Sequence, residues 1–518
     1  MKLQLVLNTF LKITFYLNLI FITSASLEAQ SCLPNGIYFS NQESIDNFST
    51  NYPGCTIIGG NVTIDGYSEN ITNLNGLSQI VEIQGYLYIH DSQLVNLSGL
   101  NNLQTIEEYL HISFNDNLTN LNGLENLNSV NVLSIQSNEY LENISALSIN
   151  GNIQGISISN NDILNNLVGL QNITSIDDNL YISNNSSLID LQPLNNLNTV
   201  GYIAIQGNSQ LSSLSGLEGL THSNGRLTIE DNDNLINLLG LDNLIFAEQL
   251  SITNNFSLQT LQGLENINVT GDINLTSNYH LENIEALSNI TNLSVLQIRN
   301  CNNLSSLSGL ENLTEISGNL EIGSNSNLVN LSGLSNLTII GSTFKIYFMP
   351  IVDFSDLNLT YIGSQLLIDT NSNLQSLIGL ENIDSSDIIR LKINGNRYLT
   401  NCAIQSICDY IEIPANNVEI YDNDTNCNSR QEVQDACILG SEDYQLSELK
   451  IYPNPTTSSF EISGLKEGTI EIIDSQGRTV KQMFLGEANY SISELTSGIY
   501  FVKITSEKTS IIKQLIKT

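Results

Sequence analysis

A short step ending in leucine, most often Gly or Ala followed by Leu, recurs along this chain at intervals of 23 or 24 residues. Its leucines are Leu77, Leu100, Leu124, Leu147, Leu170, Leu194, Leu217, Leu241, Leu264, Leu287, Leu310, Leu334, Leu357 and Leu380. A period this strict leaves little choice of architecture. One unit is too short to bury its own apolar side chains, whereas stacked units bury them against one another. The expected product is a solenoid, not a globular enzyme core.

Within each unit an apolar-x-apolar triplet marks a strand. In the unit from Asn179, Leu180 and Ile182 alternate with Tyr181, the period of a half-buried strand. The triplet occurs 16 times, from Val62–Ile64 to Val418–Ile420, which gives about 16 coils whose strands run parallel. Three residues after the triplet stands Asn, at 115, 138, 161, 185, 208, 232, 255, 278, 325, 371 and 396. A buried corner leaves backbone groups without partners, and an Asn amide both donates and accepts there, so these residues are expected to form a ladder. Cys301 takes this position in one coil and reads as a buried structural thiol. Met349 takes it in another, followed by Pro350. That coil is either a corner repacked with larger apolar groups or an exposed Tyr347/Phe348/Met349 contact patch.

The repeat resembles the leucine-rich-repeat class, and more closely the receptor L-domain type of parallel β-solenoid. The opening resembles that family's cap: Cys32-Leu-Pro-Asn-Gly, a segment with Ile45 and Phe48, then Tyr52-Pro-Gly-Cys55. The resemblance implies a mainly β, right-handed solenoid with an N-terminal disulfide cap over 30–60, repeats over 61–400 and a Cys-rich cap over 401–440. It is nearly silent about the ligand.

Residues 1–29 read as an export signal: Lys2 and Lys12, the apolar run Ile13–Ile22, then Ser24-Ala-Ser and Ala29. No stretch reaches transmembrane length. Export permits disulfides. Cys32 and Cys55 flank the first coil. Cys402, Cys408, Cys427 and Cys437 follow the last, and four cysteines permit three pairings among which the sequence does not choose. Net charge is −36, and residues 31–440 hold 7 Lys/Arg against 42 Asp/Glu. Such a surface repels phosphate backbones, so nucleic acid is excluded as a partner.

After an acidic linker over 441–449 the composition changes. Short alternating segments over 450–518, with a turn at Asp474-Ser-Gln-Gly-Arg478, suggest a small antiparallel β-sandwich. This segment resembles the type A C-terminal sorting domain of the type IX secretion system. The matching pieces are Tyr452-Pro453-Asn454-Pro455, Gly477-Arg478, Leu495-Thr-Ser-Gly-Ile-Tyr-Phe-Val502 and the basic end Lys513–Lys517. The resemblance implies contact with that machinery and delivery to the medium or outer surface of a Gram-negative bacterium.

No catalytic motif is present, and the four histidines are His90, His111, His222 and His280. The chain reads as a non-enzymatic recognition or adhesion protein with an extracellular protein or glycan ligand. The competing reading is a passive structural surface component held by calcium or self-association. Outward strand positions carry Tyr86, Tyr88, His90, Tyr109, His111, Tyr181 and Tyr202, and exposed strand faces of solenoids commonly bind ligands. Tyr88 and His111 are expected as lateral neighbours. A metal at His90 and His111 lacks a third ligand in the pattern, so no metal ligand and no cofactor is assigned. Calcium is weighed at Asp231-Asn-Asp-Asn234 and Asp422-Asn-Asp424, neither of which is a full calcium loop.

Overall fold

The computed structural model describes residues 31–447, 450–463, 468–486, 489–505 and 510–518. The export signal expected over 1–29 lies outside the described residues. The chain divides into two compact units, at residues 290 and 291.

In the first unit, parallel strands are laid down one per coil. They are Ile37–Phe39, Val62–Asp65, Leu87–His90, Thr105–Ser113, Ser129–Gln136, Gly151–Ser159, Ile173–Ser183, Thr199–Gln206, His222–Glu230, Phe246–Thr253 and Asp272–Thr276. The register matches like with like. Val62, Leu87, Leu110, Leu133 and Ile156 stand in one lateral row, and Ile64, Ile89, Ile112, Ile135 and Ile158 in the next. These side chains are fully or almost fully buried. Alternation along a strand sends the residues between them outward, so one row of aliphatics fixes the address of every outward side chain. In the second unit the same pattern gives Val295–Arg299, Leu320–Gly323, Thr343–Tyr347, Gln365–Asp369, Arg390–Asn394 and Val418–Tyr421. All 16 expected triplets are strands. Ile37–Phe39 adds one that the spacing did not mark, paired in parallel with Val62–Ile64 from inside the cap. Beside it the short helices Gln42–Asp46 and Phe48–Asn51 bury Ile45 and Phe48.

The asparagine ladder is present and buried. The Asn138 backbone N–H donates to Asn161 Oδ1 at 3.2 Å. Its Nδ2 donates to Ile112 O and Gln136 O, both at 3.1 Å. The pattern runs from Ser92 to Asn278 in the first unit. In the second unit Cys301 N donates to Asn325 Oδ1 at 2.8 Å, and Met349 N donates to Asn371 Oδ1 at 3.0 Å. Met349 is therefore a repacked rung. It is buried, with Asn325 Nδ2 3.8 Å from its sulfur. Asn423 ends the ladder, accepting from Asn396 N at 3.0 Å. The residue before each rung turns the corner with a left-handed backbone, as at Asn184 (φ 54), Asp231 (φ 54) and Asp422 (φ 55). Asp and Asn tolerate that conformation better than most side chains, which gives the Asp231 and Asp422 stretches a structural task.

The leucine step is explained by a second corner. Gly123 sits at φ 113, and a Cβ there would lie 2.0 Å from Leu97 O of the preceding coil. Its N–H is capped by Glu125 at 3.0 Å, and Asn126 Nδ2 reaches back to Asn101 O at 2.7 Å. The same pair of contacts recurs at Gly240/Asp242/Asn243 and Gly263/Glu265/Asn266. This second, exposed row of asparagines was not read from the sequence.

Disulfides join Cys32 to Cys55, Cys402 to Cys427 and Cys408 to Cys437, which selects one of the three open pairings. Cys408–Cys437 joins the helices Gln405–Glu412 and Arg430–Ser447, and Cys402–Cys427 joins the segments that precede them. Arg430 Nη2 donates to Ile411 O and Ile413 O, both at 2.7 Å, satisfying the carbonyl end of the first helix. The second helix continues through 441–447, a stretch expected as linker.

The tail forms two antiparallel sheets. Lys450–Tyr452, Ser459–Ser463 and Tyr490–Ser491 make one, and Thr479–Phe484, Thr469–Ile473, Gly498–Thr505 and Ser510–Lys517 make the other. Phe460, Ile470, Tyr490, Val502 and Leu515 share the core. The expected turn closes with Asp474 N donating to Arg478 O at 2.9 Å.

Replacing Asn208 by Ala strands Ile182 O together with the N–H and amide donors near Asn185. Each orphaned buried group costs about 1–3 kcal/mol. Asn208→Ala is expected to lower unfolding free energy by at least about 2 kcal/mol in urea titrations, and exposed Asn195→Ala by less than about 0.5 kcal/mol. Equal effects would refute the ladder's role.

Candidate ligand-binding face

Outward positions of the strands form a continuous face within each unit. In the first unit the register sets Thr63, Tyr88, His111, Ser134, Ser157, Tyr181, Ala204, Thr228, Ser251 and Asn274 in one lateral row. Tyr88 and His111 meet edge to face with centroids 4.4 Å apart, and Tyr88 lies 4.5 Å from the His90 ring. Burial and the nearby His90 push the His111 pKa down. Tyr86 is half-buried and Tyr109 exposed at the leading edge of the same strands. His90 is drawn into a polar group that the sequence did not assemble. Its Nδ1 lies 2.8 Å from Asp91 Oδ2 and 3.7 Å from Asp65 Oδ1. The Tyr38 hydroxyl and the Tyr67 N–H both donate to the Asp65 carboxylate. Burial alone would raise the Asp65 pKa, but those two donors and His90 hold it below its usual value.

Tyr181 and Tyr202 form a second aromatic pair, with centroids 5.3 Å apart. No ring contact joins them to the Tyr88 group, because the two strands between carry only Ser134 and Ser157 in this row. Beyond Tyr202 the face holds a polar depression of about 310 Å³, whose lining includes Tyr202, Arg226, Gln206, Glu230, Thr253 and Asn274. Of its lining, Gln206 Nε2 donates to Glu230 at 2.9 Å, and Arg226 Nε donates to the neighbouring Gln249 Oε1 at 2.8 Å.

The second unit's face is an ion-pair array. Lys345 Nζ stands 2.9 Å from Glu321 Oε1 and 4.4 Å from the Tyr347 ring centroid. Lys392 pairs with Asp369 at 3.1 Å and Arg390 with Glu419 at 2.9 Å. Of the Tyr347/Phe348/Met349 patch only Phe348 is exposed, at 58%. In the tail, Tyr452-Pro453-Asn454-Pro455 is stitched to the last strand. Asn454 Nδ2 donates to Gln514 O at 2.7 Å, and Asn454 Oδ1 accepts from Ile516 N at 2.9 Å. The two ends of the motif, some 60 residues apart in sequence, are one structural element.

Residues 450–518 match the family described as secretion system C-terminal sorting domain. Residues 54–108 match the receptor L domain family. No curated protein matches the chain. The antiparallel tail and the parallel solenoid agree with these assignments. The tail directs the protein through the type IX secretion system to the cell surface or the medium, and so to contact with that machinery. Among the described residues no helix is long and apolar enough to cross a membrane.

Burial raises the pKa of Asp369, but hydrogen bonds from Thr370, Lys392 and Asn394 and the Lys392 charge overcome this and leave it lowered. A depressed carboxylate stabilises the fold fully above the unfolded value of about 3.9, and the contribution is lost as pH falls through the lower folded value. Urea midpoints measured at about pH 5 and about pH 3 should therefore converge in Asp369→Asn relative to the unmodified protein. Identical losses in both would show that the pair carries no pH-linked stability.

Proposed function

We propose that this protein is a non-enzymatic recognition or adhesion factor, exported to the cell surface or medium, whose outward strand face binds an extracellular glycan. One observation carries the reading. The His111/Tyr88 and Tyr181/Tyr202 aromatic groups flank a floor of serine hydroxyls at Ser134 and Ser157. The separation is three strand steps, roughly 14 Å at about 4.8 Å per step. Sugar rings offer apolar faces for aromatic contact and hydroxyls for a polar floor, and an oligosaccharide of a few residues matches this span. The depression beyond Tyr202, lined by amides, hydroxyls, Arg226 and Glu230, extends the same chemistry. Solenoids present extended binding surfaces of this kind, since each repeat contributes one row of contacts. The excess of negative charge over 31–440 favours neutral or basic ligands over polyanions.

A glycan and extracellular-protein array probed with the purified protein tests this reading. Truncating a buried aromatic anchor typically removes about 2 kcal/mol or more of binding energy. Tyr181→Ala and Tyr88→Ala are therefore expected to weaken glycan hits at least about ten-fold, with melting temperature little changed. Hits confined to proteins would redirect the ligand class. No hits at all, with self-association in sedimentation, would assign the passive structural role instead.

A further inference from the structure

The geometry points to a site for a divalent transition metal of the zinc class, formed by Asp65 and Asp91 oxygens and His90 Nδ1 on the outward face of the first coils. This goes beyond the glycan reading, since it holds whether or not a sugar binds. The ligand atoms of the three residues lie within 4.8 Å of one another, and among the described residues no other trio of His, Cys, Asp and Glu converges in this way. Donors around zinc with bonds of about 2.1 Å stand roughly 3.4 Å apart in a tetrahedron. His90 Nδ1 at 2.8 Å from Asp91 Oδ2 and 3.7 Å from Asp65 Oδ1 brackets that spacing. Small side-chain movements suffice to admit a cation.

The backbone pre-sets the arrangement. Asp65 and His90 occupy matched positions on adjacent strands, so the sheet register holds their separation. Asp91 follows at the left-handed corner (φ 55), with its carboxylate against the imidazole. Asp65 is oriented by Tyr38 and Tyr67, the outer hydrogen bonding that ordinarily fixes a carboxylate ligand. A second observation points the same way. The register sets Ser113 directly beside His90, and its hydroxyl is fully buried with no hydrogen-bond partner. Ser113 is thus an unpaired buried hydroxyl at the strand position matched to His90. The three side chains are 17–38% exposed. Water therefore reaches the site, and a cation held by three protein ligands keeps an open position, as in zinc sites that bind a further molecule. Imidazole with two carboxylates suits zinc or manganese better than calcium, which takes oxygen ligands alone. The negative charge of the surrounding chain raises local cation concentration.

Calorimetric titration of the chelator-stripped full chain with Zn²⁺ tests this, with X-ray absorption at the zinc edge on the unmodified protein. One equivalent is expected to bind, with a nitrogen-and-oxygen shell containing a single imidazole. Affinity should fall at least about ten-fold in His90→Ala and in Asp65→Asn, and stay unchanged in His280→Ala and Asp231→Asn. No saturable binding, a spectrum without imidazole, or a titration unmoved by His90→Ala would overturn the site and leave an ordinary histidine–carboxylate ion pair. The absorption spectrum is taken on the unsubstituted chain, so it decides the matter even where a substitution impairs folding.

Discussion

Each turn of the solenoid carries a bend of backbone into the interior, where N–H and carbonyl groups have no water to pair with. The asparagine amide resolves this at most coils. It accepts from the rung before it and donates to carbonyls of its own coil and the preceding one. Everything outward depends on that pairing, because it holds consecutive coils in register. The departures obey the same accounting. Ser92 keeps a hydroxyl 2.6 Å from Asn115 Oδ1. Cys301 and Met349 keep the backbone donation while giving up the side-chain amide.

Turn chemistry also explains part of the chain's charge. Glu125, Asp242 and Glu265 cap the N–H of a glycine two residues earlier, so a carboxylate recurs with the repeat. The scarce basic residues are correspondingly placed. Arg430 closes a helix end, while Lys345, Arg390 and Lys392 each face a carboxylate on a neighbouring strand. The acidity of the chain is therefore partly a by-product of how the corners are made.

The face was legible to the extent that the period sets the register. Tyr88 and His111 are 23 residues apart, one repeat, and they touch. Tyr181 and Tyr202 are 21 apart and also touch, but as diagonal neighbours, because the register sets Ala204 beside Tyr181 and Tyr202 beside Asn179. Asp65 and His90 are 25 apart, in the irregular first coils, so counting by 23 or 24 does not bring them together. Asp91 and Tyr38 carry no mark of their own in the sequence. Neither signals a polar cluster until the strand Ile37–Phe39 is seen to pair with Val62–Ile64. Ser113 offered no signal at all, since a buried unpaired hydroxyl is defined only by its surroundings.

Periodicity determined the parallel strands, the aliphatic interior and the buried asparagine row, and the change of pattern after 440 marked the separate antiparallel tail. These follow from local alternation and from the need to satisfy backbone groups every time the chain turns inward. The choice among cysteine pairings, the extra strand in the cap, the joining of Asn454 to the last strand and the meeting of Asp65, His90 and Asp91 were decided only in three dimensions. Each joins residues whose separation departs from the repeat, and distance along a chain does not fix proximity unless a regular lattice does so.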